Sequence, residues 1–150
     1  MSSAVMNCAS MLRWTPALSP VMPRCFSTTQ NLEHIIKLTR MRIVDNSALG
    51  KAAVISGKPA RVLHIYNKKG VGTIGDKVLV AIKGQKKRGY IVGVKQKQKA
   101  MIPKMDTNNL VLVEDNGTPI GNRVTVPIPS ILRKRSGDFT KILSLATRFV

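Results

Sequence analysis

Gly75-Asp76-Lys77-Val78-Leu79-Val80-Ala81-Ile82-Lys83-Gly84-Gln85-Lys86-Lys87-Arg88-Gly89-Tyr90-Ile91-Val92-Gly93-Val94-Lys95 is the stretch from which the fold is read. Val78, Val80 and Ile82 alternate with Lys77, Leu79, Ala81 and Lys83. That period of two sends alternate side chains to opposite faces of a strand. Tyr90, Val92 and Val94 repeat the pattern, so the sequence predicts a β-hairpin with both of these rows inside. The connection from Gly84 to Gly89 is expected to carry Lys86, Lys87 and Arg88 into solvent. A rigid sheet with cations gathered at its edge suits an anionic partner.

The composition points the same way. The 150 residues hold 25 Lys and Arg against 7 Asp and Glu, a net charge of +18. Only Arg13 and Arg24 precede Glu33, so the excess belongs almost entirely to the rest of the chain. Such a field attracts polyanions and repels copies of the same molecule. Nucleic acid ranks first as partner, ahead of an anionic membrane surface and an acidic protein. No apolar run is long enough to span a bilayer. Both cysteines, Cys8 and Cys25, fall in the first thirty residues, which leaves the body without a disulfide framework or a thiolate metal site.

Residues 1–30 read as a leader and 31–150 as one domain. The leader has no acid, carries Arg13 and Arg24, is rich in Ser and Thr, and is broken by Pro16, Pro20 and Pro23. These are the features of a mitochondrial transit peptide. Arg24-Cys25-Phe26-Ser27 resembles the pattern cut by the matrix processing peptidase, with the break after Phe26.

In the body, alternation from Lys37 to Val44 predicts a strand running into a turn at Asp45-Asn46-Ser47. Ala52 to Ser56 and Ala60 to Tyr66 read as further strands, with Leu63 and Ile65 inward. Gly70-Val71-Gly72-Thr73-Ile74-Gly75 matches the dinucleotide-binding glycine pattern, but a strand follows it where that motif requires a helix, so it is read as a turn. Asn109 to Glu114 is apolar enough to be covered on both faces. Asp115-Asn116-Gly117 is a tight reversal, with a return strand from Ile120 to Val126. After Pro127 and Pro129, Ser130 caps a short turn, and Ser136-Gly137-Asp138 caps a helix from Phe139 to Ala146. The fold class is all-β: a small five- to six-stranded β-barrel with short C-terminal helices from about residue 130.

Catalytic constellations are missing from the sequence. His34 and His64 are the only imidazoles, and the acids are scattered. There is no nucleophile elbow, phosphate loop or metal-ligand spacing, and no cofactor is expected. After residue 32 the aromatics are Tyr66, Tyr90, Phe139 and Phe149, a poor platform for stacking single-stranded bases. Most of the cations are lysines, which neutralise phosphates and do not read base edges as bidentate forks. The expected mode is contact with the backbone and shape of a folded RNA.

The body resembles the universal large-subunit ribosomal protein fourteen family, and the leader makes it look like a mitochondrial member. Five pieces carry the likeness in order: Arg42-Ile-Val-Asp-Asn-Ser47, Gly72 to Ile82, Asn109-Leu-Val-Leu-Val113, Pro119-Ile-Gly-Asn-Arg123 and Phe139-Thr-Lys-Ile-Leu-Ser-Leu-Ala146. Two stretches depart from the family pattern. Ser47 to Gly75 is longer, and Lys97 to Asp106 has Met105 where an aromatic would stand. The resemblance implies a five-stranded barrel on mitochondrial large-subunit rRNA in the matrix, acting in translation. It also implies contact with neighbouring large-subunit ribosomal proteins, an intersubunit bridge to small-subunit rRNA, and a docking face for a ribosomal silencing factor.

Candidate RNA contacts are Lys68, Lys69, Lys86, Lys87, Arg88, Lys95, Lys97 and Lys99. Arg40, Arg42 and Arg123 either join them or satisfy buried carbonyls. Arg133, Lys134 and Arg135 are assigned to a second face, toward the bridge or a protein neighbour. Two rivals differ in what they need. A free-standing single-strand nucleic-acid-binding barrel of mitochondria requires more aromatics. An enzyme acting on an acidic substrate requires a titratable pair.

Overall fold

The computed structural model describes residues 35–96 and 100–150. The chain divides into Met1–Gln30 and Asn31–Val150, and every described residue lies in the second unit. The proposed leader and Lys97 and Lys99 fall outside the described residues.

Five strands close into a barrel in the order β1-β2-β3-β4-β5. They are β1 (Arg40–Ile43), β2 (Ala60–Ile65), β3 (Lys77–Ile82), β4 (Gln85–Gly93) and β5 (Asn109–Val113). Neighbours run antiparallel except β1 and β5, which pair in parallel through Arg42 with Asn109 and Ile43 with Leu110. Directly opposed residues project to one face of a sheet. Following the pairs round the barrel places Met41, Ile43, Ala60, Val62, Ile65, Val78, Val80, Ile82, Ile91, Leu110 and Leu112 on the inner row, all of them buried.

The central hairpin forms, but its turn is shorter than expected. Lys83 (φ 45°) and Gly84 (φ 80°) close it as a two-residue loop. Positive φ at both central positions is the primed turn that matches strand twist. Lys86, Lys87 and Arg88 therefore lie within β4, opposite Ala81, Val80 and Leu79, and not in a loop. The same register corrects the expected row on β4. Ile91 shares the inner face, while Tyr90 faces outward opposite Lys77. Tyr90 is nonetheless buried, because the C-terminal segment covers it.

Three other expectations change. Ala52 to Ser56 is not a strand but the end of helix α1 (Ala48–Ile55). The Ser47 hydroxyl caps that helix by accepting from the Gly50 N–H at 3.1 Å, and alanines at 48, 52 and 53 favour the helical choice over the β-branched Val54 and Ile55. In β2 an irregularity between Val62 and His64 shifts the alternation, so Val62 and Ile65 are buried and Leu63 is only half-buried. Ile120 to Val126 forms no strand and makes only isolated bridges nearby, Val113 with Pro119 and Val124 with Ala146. Its backbone bonds go to different elements, Ile120 N–H to the Leu112 carbonyl at 3.1 Å and Thr125 N–H to the Val44 carbonyl at 3.0 Å, and Gly121 passes so close to the Asp45 carbonyl that a Cβ would collide with it.

The C-terminal segment carries a 3₁₀ turn (Ser130–Lys134) and helix α2 (Phe139–Ser144). Neither Pro129 nor Asp138, the residues at their N-terminal ends, makes a side-chain capping bond, so the expected Ser130 and Asp138 caps are absent. Asp138 is used elsewhere. Its carboxylate accepts from the Tyr90 hydroxyl at 2.8 Å and lies 3.9 Å from Lys77 Nζ. Tyr90 packs on Phe139 with ring centroids 4.6 Å apart. Arg135 donates to the Gly75 carbonyl at 2.8 Å. These contacts tie α2 and the 3₁₀ turn to the outer faces of β3 and β4.

Burial, and then the hydrogen bond and negative charge of Asp138, push the Tyr90 hydroxyl up to about 12. An unfolded tyrosine ionises near pH 10. Between about 10 and 12 the unfolded chain loses this proton first, so folding stability falls as pH rises through that window. In Tyr90→Phe that alkaline loss should shrink, while stability at pH 7 drops by about 1–2 kcal/mol for the lost charge-assisted bond. Chemical denaturation at pH 7 and pH 11 measures both. Gly121→Ala should lower stability by about 1–3 kcal/mol, because an added methyl overlaps the Asp45 carbonyl. A thermal midpoint equal to wild type would contradict the close packing described.

Candidate nucleic-acid interface

The outer face of β1 to β4 carries the charge. Register alone lines up Arg40 with Arg61, Arg61 with Ala81, and Ala81 with Lys86, one row across four strands. The next row brings His64, Leu79 and Arg88 together. Arg40, Arg61 and Lys86 are all exposed. Beside them a groove of about 620 Å³ is lined by Arg40, Lys58, Arg61 and Lys83, with Gly57, Pro59, Ala81 and Gly84 between. No acidic residue lines it. Like charges directly opposite on a sheet destabilise it, so this row is tolerated and not stabilising in the free protein. An anion laid along it would reverse the sign of that interaction.

The sequence-derived candidates separate into groups. Lys86 projects from the outer row. Lys87 shares the inner-facing register at the mouth of the barrel and is half-buried. Arg88 reaches across to Asp115 at 2.9 Å, an ion pair whose side chains are 41% and 82% exposed and therefore weak in salt. Lys68 and Lys69 stand exposed in the loop between β2 and β3, and Lys95 is exposed after β4. Arg40, Arg42 and Arg123 are exposed and donate to no carbonyl among the described residues.

Arg133, Lys134 and Arg135 do not act as a unit. Arg133 lies over the Phe149 ring at 4.0 Å, and Arg135 is anchored to Gly75 and lies 3.9 Å from Asp76, while Lys134 remains exposed.

The sequence reading did not name Lys58, Arg61 and Lys83 as contacts. The sequence marks Arg61 only as a charged residue near the start of a strand, on an exposed or edge position. What brings it to Arg40 is the pairing of β1 with β2, which alternation does not report. Among the described residues no group of three His, Asp or Glu comes together, and no helix is long and apolar enough to cross a membrane.

Comparison with known proteins gives concordant results. The family model for ribosomal protein L14p/L23e matches residues 34–150. A Danio rerio protein named large ribosomal subunit protein uL14m is 52% identical over 127 residues, spanning 85% of this chain and 89% of the relative.

Replacing Arg61 by Gln relieves the repulsion with Arg40 and removes one cation from the row. The isolated protein should then unfold at the same or slightly higher denaturant concentration. Its affinity for structured RNA should fall, with a log–log salt slope shallower by about 1. Titration in 50 to 200 mM salt reads this out, and an unchanged slope would exclude Arg61 from the interface.

Proposed function

The chain belongs to the ribosomal protein L14p/L23e family, and we propose that it is a structural, non-catalytic rRNA-binding protein of the mitochondrial large ribosomal subunit. The observation that carries this reading is the cationic outer row Arg40, Arg61, Lys86 with the acid-free groove that Arg40 and Arg61 line together with Lys58 and Lys83. A rigid barrel holds these cations at strand spacing, which suits the phosphates of a folded RNA and supplies no reactive pair. Exposed Lys68, Lys69 and Lys95 extend the same contact. Lys97 and Lys99, Arg42 and Arg123 join it on charge.

The acid-free, Arg-bearing and Ser-rich residues 1–30 support import into mitochondria and removal as a transit peptide. The 3₁₀ turn leaves Lys134 exposed. We assign this second face to a protein neighbour or to the bridge to the small subunit. We assign the docking of a ribosomal silencing factor to the same side.

Sedimentation through rising salt tests the proposal. The processed protein should travel with the large subunit and leave it only at high ionic strength. A low-mass pool at moderate salt would overturn the reading. The double change Arg61→Glu with Lys86→Glu should abolish incorporation while the barrel stays folded, because the new carboxylate at 61 faces Arg40. Normal incorporation of this variant would exclude the outer row as the contact.

A further inference from the structure

Each aromatic ring in the described residues has a determinable job except one. Tyr90 is bonded to Asp138 and packed on Phe139, and Phe149 is covered by Arg133. Tyr66 is 49% exposed, and its hydroxyl has no hydrogen-bond partner among the described residues. It is held in place nonetheless. Its N–H donates to the Lys77 carbonyl at 3.0 Å, extending the β2–β3 ladder by one rung. The His64 ring meets it edge-on, with centroids 5.2 Å apart and planes at 80°.

This pair continues the cationic face. Arg61 opposes Ala81, His64 opposes Leu79, and Tyr66 follows beside Lys77, all on the outward side of β2 and β3. Immediately after Tyr66, Lys68 and Lys69 stand exposed, with the Lys69 N–H turned back to Asn67 at 3.4 Å. The nearest acid in sequence, Asp76, is occupied. Its carboxylate takes the Thr73 N–H at 2.8 Å and the Thr73 hydroxyl at 2.9 Å. A rigid tyrosine ring bordered by unpaired lysines fits a planar base with phosphates on either side.

We propose that Tyr66, braced by His64, receives one unstacked nucleobase of the bound RNA, with Lys68 and Lys69 taking the adjoining phosphates. This rests on the rRNA-binding reading and adds a specific contact to it. One open ring accommodates one base. The site therefore suits a bulged or looped-out nucleotide in a folded RNA, not a single-stranded track.

The test uses large subunits purified from cells whose only copy is wild type, Tyr66→Leu or Tyr66→Phe, probed by 2′-hydroxyl acylation of the rRNA. All three proteins should co-sediment with the subunit. In Tyr66→Leu one nucleotide should gain about tenfold in reactivity, the scale of one lost stacking contact, while Tyr66→Phe keeps the wild-type profile. A Tyr66→Leu profile that matches wild type throughout would overturn the platform and leave the rRNA reading standing. If wild type itself fails to co-sediment, the rRNA reading falls and the platform with it. If only Tyr66→Leu is missing from subunits, Tyr66→Trp decides. Its emission, read as the difference from wild-type subunits, should be quenched severalfold on assembly, and unquenched emission would overturn the proposal.

Discussion

Closure of the sheet between β1 and β5 is the constraint on which the rest depends. A barrel removes exposed strand edges only if its first and last strands meet. Here they meet through a parallel pairing of Arg42 with Asn109 and Ile43 with Leu110. Asp45, 1% exposed, secures the junction. One carboxylate oxygen accepts the Ser47 N–H at 3.0 Å and the other the Leu112 N–H at 3.2 Å. A buried carboxylate is costly unless its oxygens are satisfied, and these two bonds join the end of β1 to the middle of β5. The turn that places Asp45 also starts α1 through Ser47.

Once the barrel is closed, register fixes where every cation goes. The inner row is mostly Val, Ile, Leu and Met, with Lys87 at its mouth, and the register places Arg40, Arg61 and Lys86 on the outside. They end up opposite one another, and the free protein gains nothing from that. Sheets under selection for stability alone place opposite charges in such positions. A row of one sign is understandable when the missing charge belongs to a partner, and the phosphate backbone of RNA supplies it.

The C-terminal segment serves a different purpose. It covers Tyr90 on the outer side of β4 through Phe139 and Asp138, and Val92, Val111 and Val113 are buried as well. Cations there are spent on the protein's own groups: Arg135 on Gly75, Arg133 on Phe149 and Lys77 near Asp138. Two clusters that look alike as charge runs therefore differ in kind. The one on the open sheet faces outward, and at the C-terminus Arg133 and Arg135, though exposed, are engaged by the protein's own groups.

The sequence by itself determined the all-β class, the inner row of β3, the doubly covered β5, the reversal at Asp115 to Gly117 and the family. Each of these follows from short-range signals: alternation at two, continuous apolar runs, and glycine or asparagine where positive φ is needed. It did not disclose that Lys86 to Arg88 sit in a strand, since a lysine at φ 45° before Gly84 gives no compositional cue to so short a turn. It missed α1, because Val54 and Ile55 read as strand where Ser47 and three alanines decide for helix. Tertiary structure alone decided which cations become neighbours. Pairing between strands distant in the chain sets that, and a one-residue shift of register would send Arg61 to the opposite face.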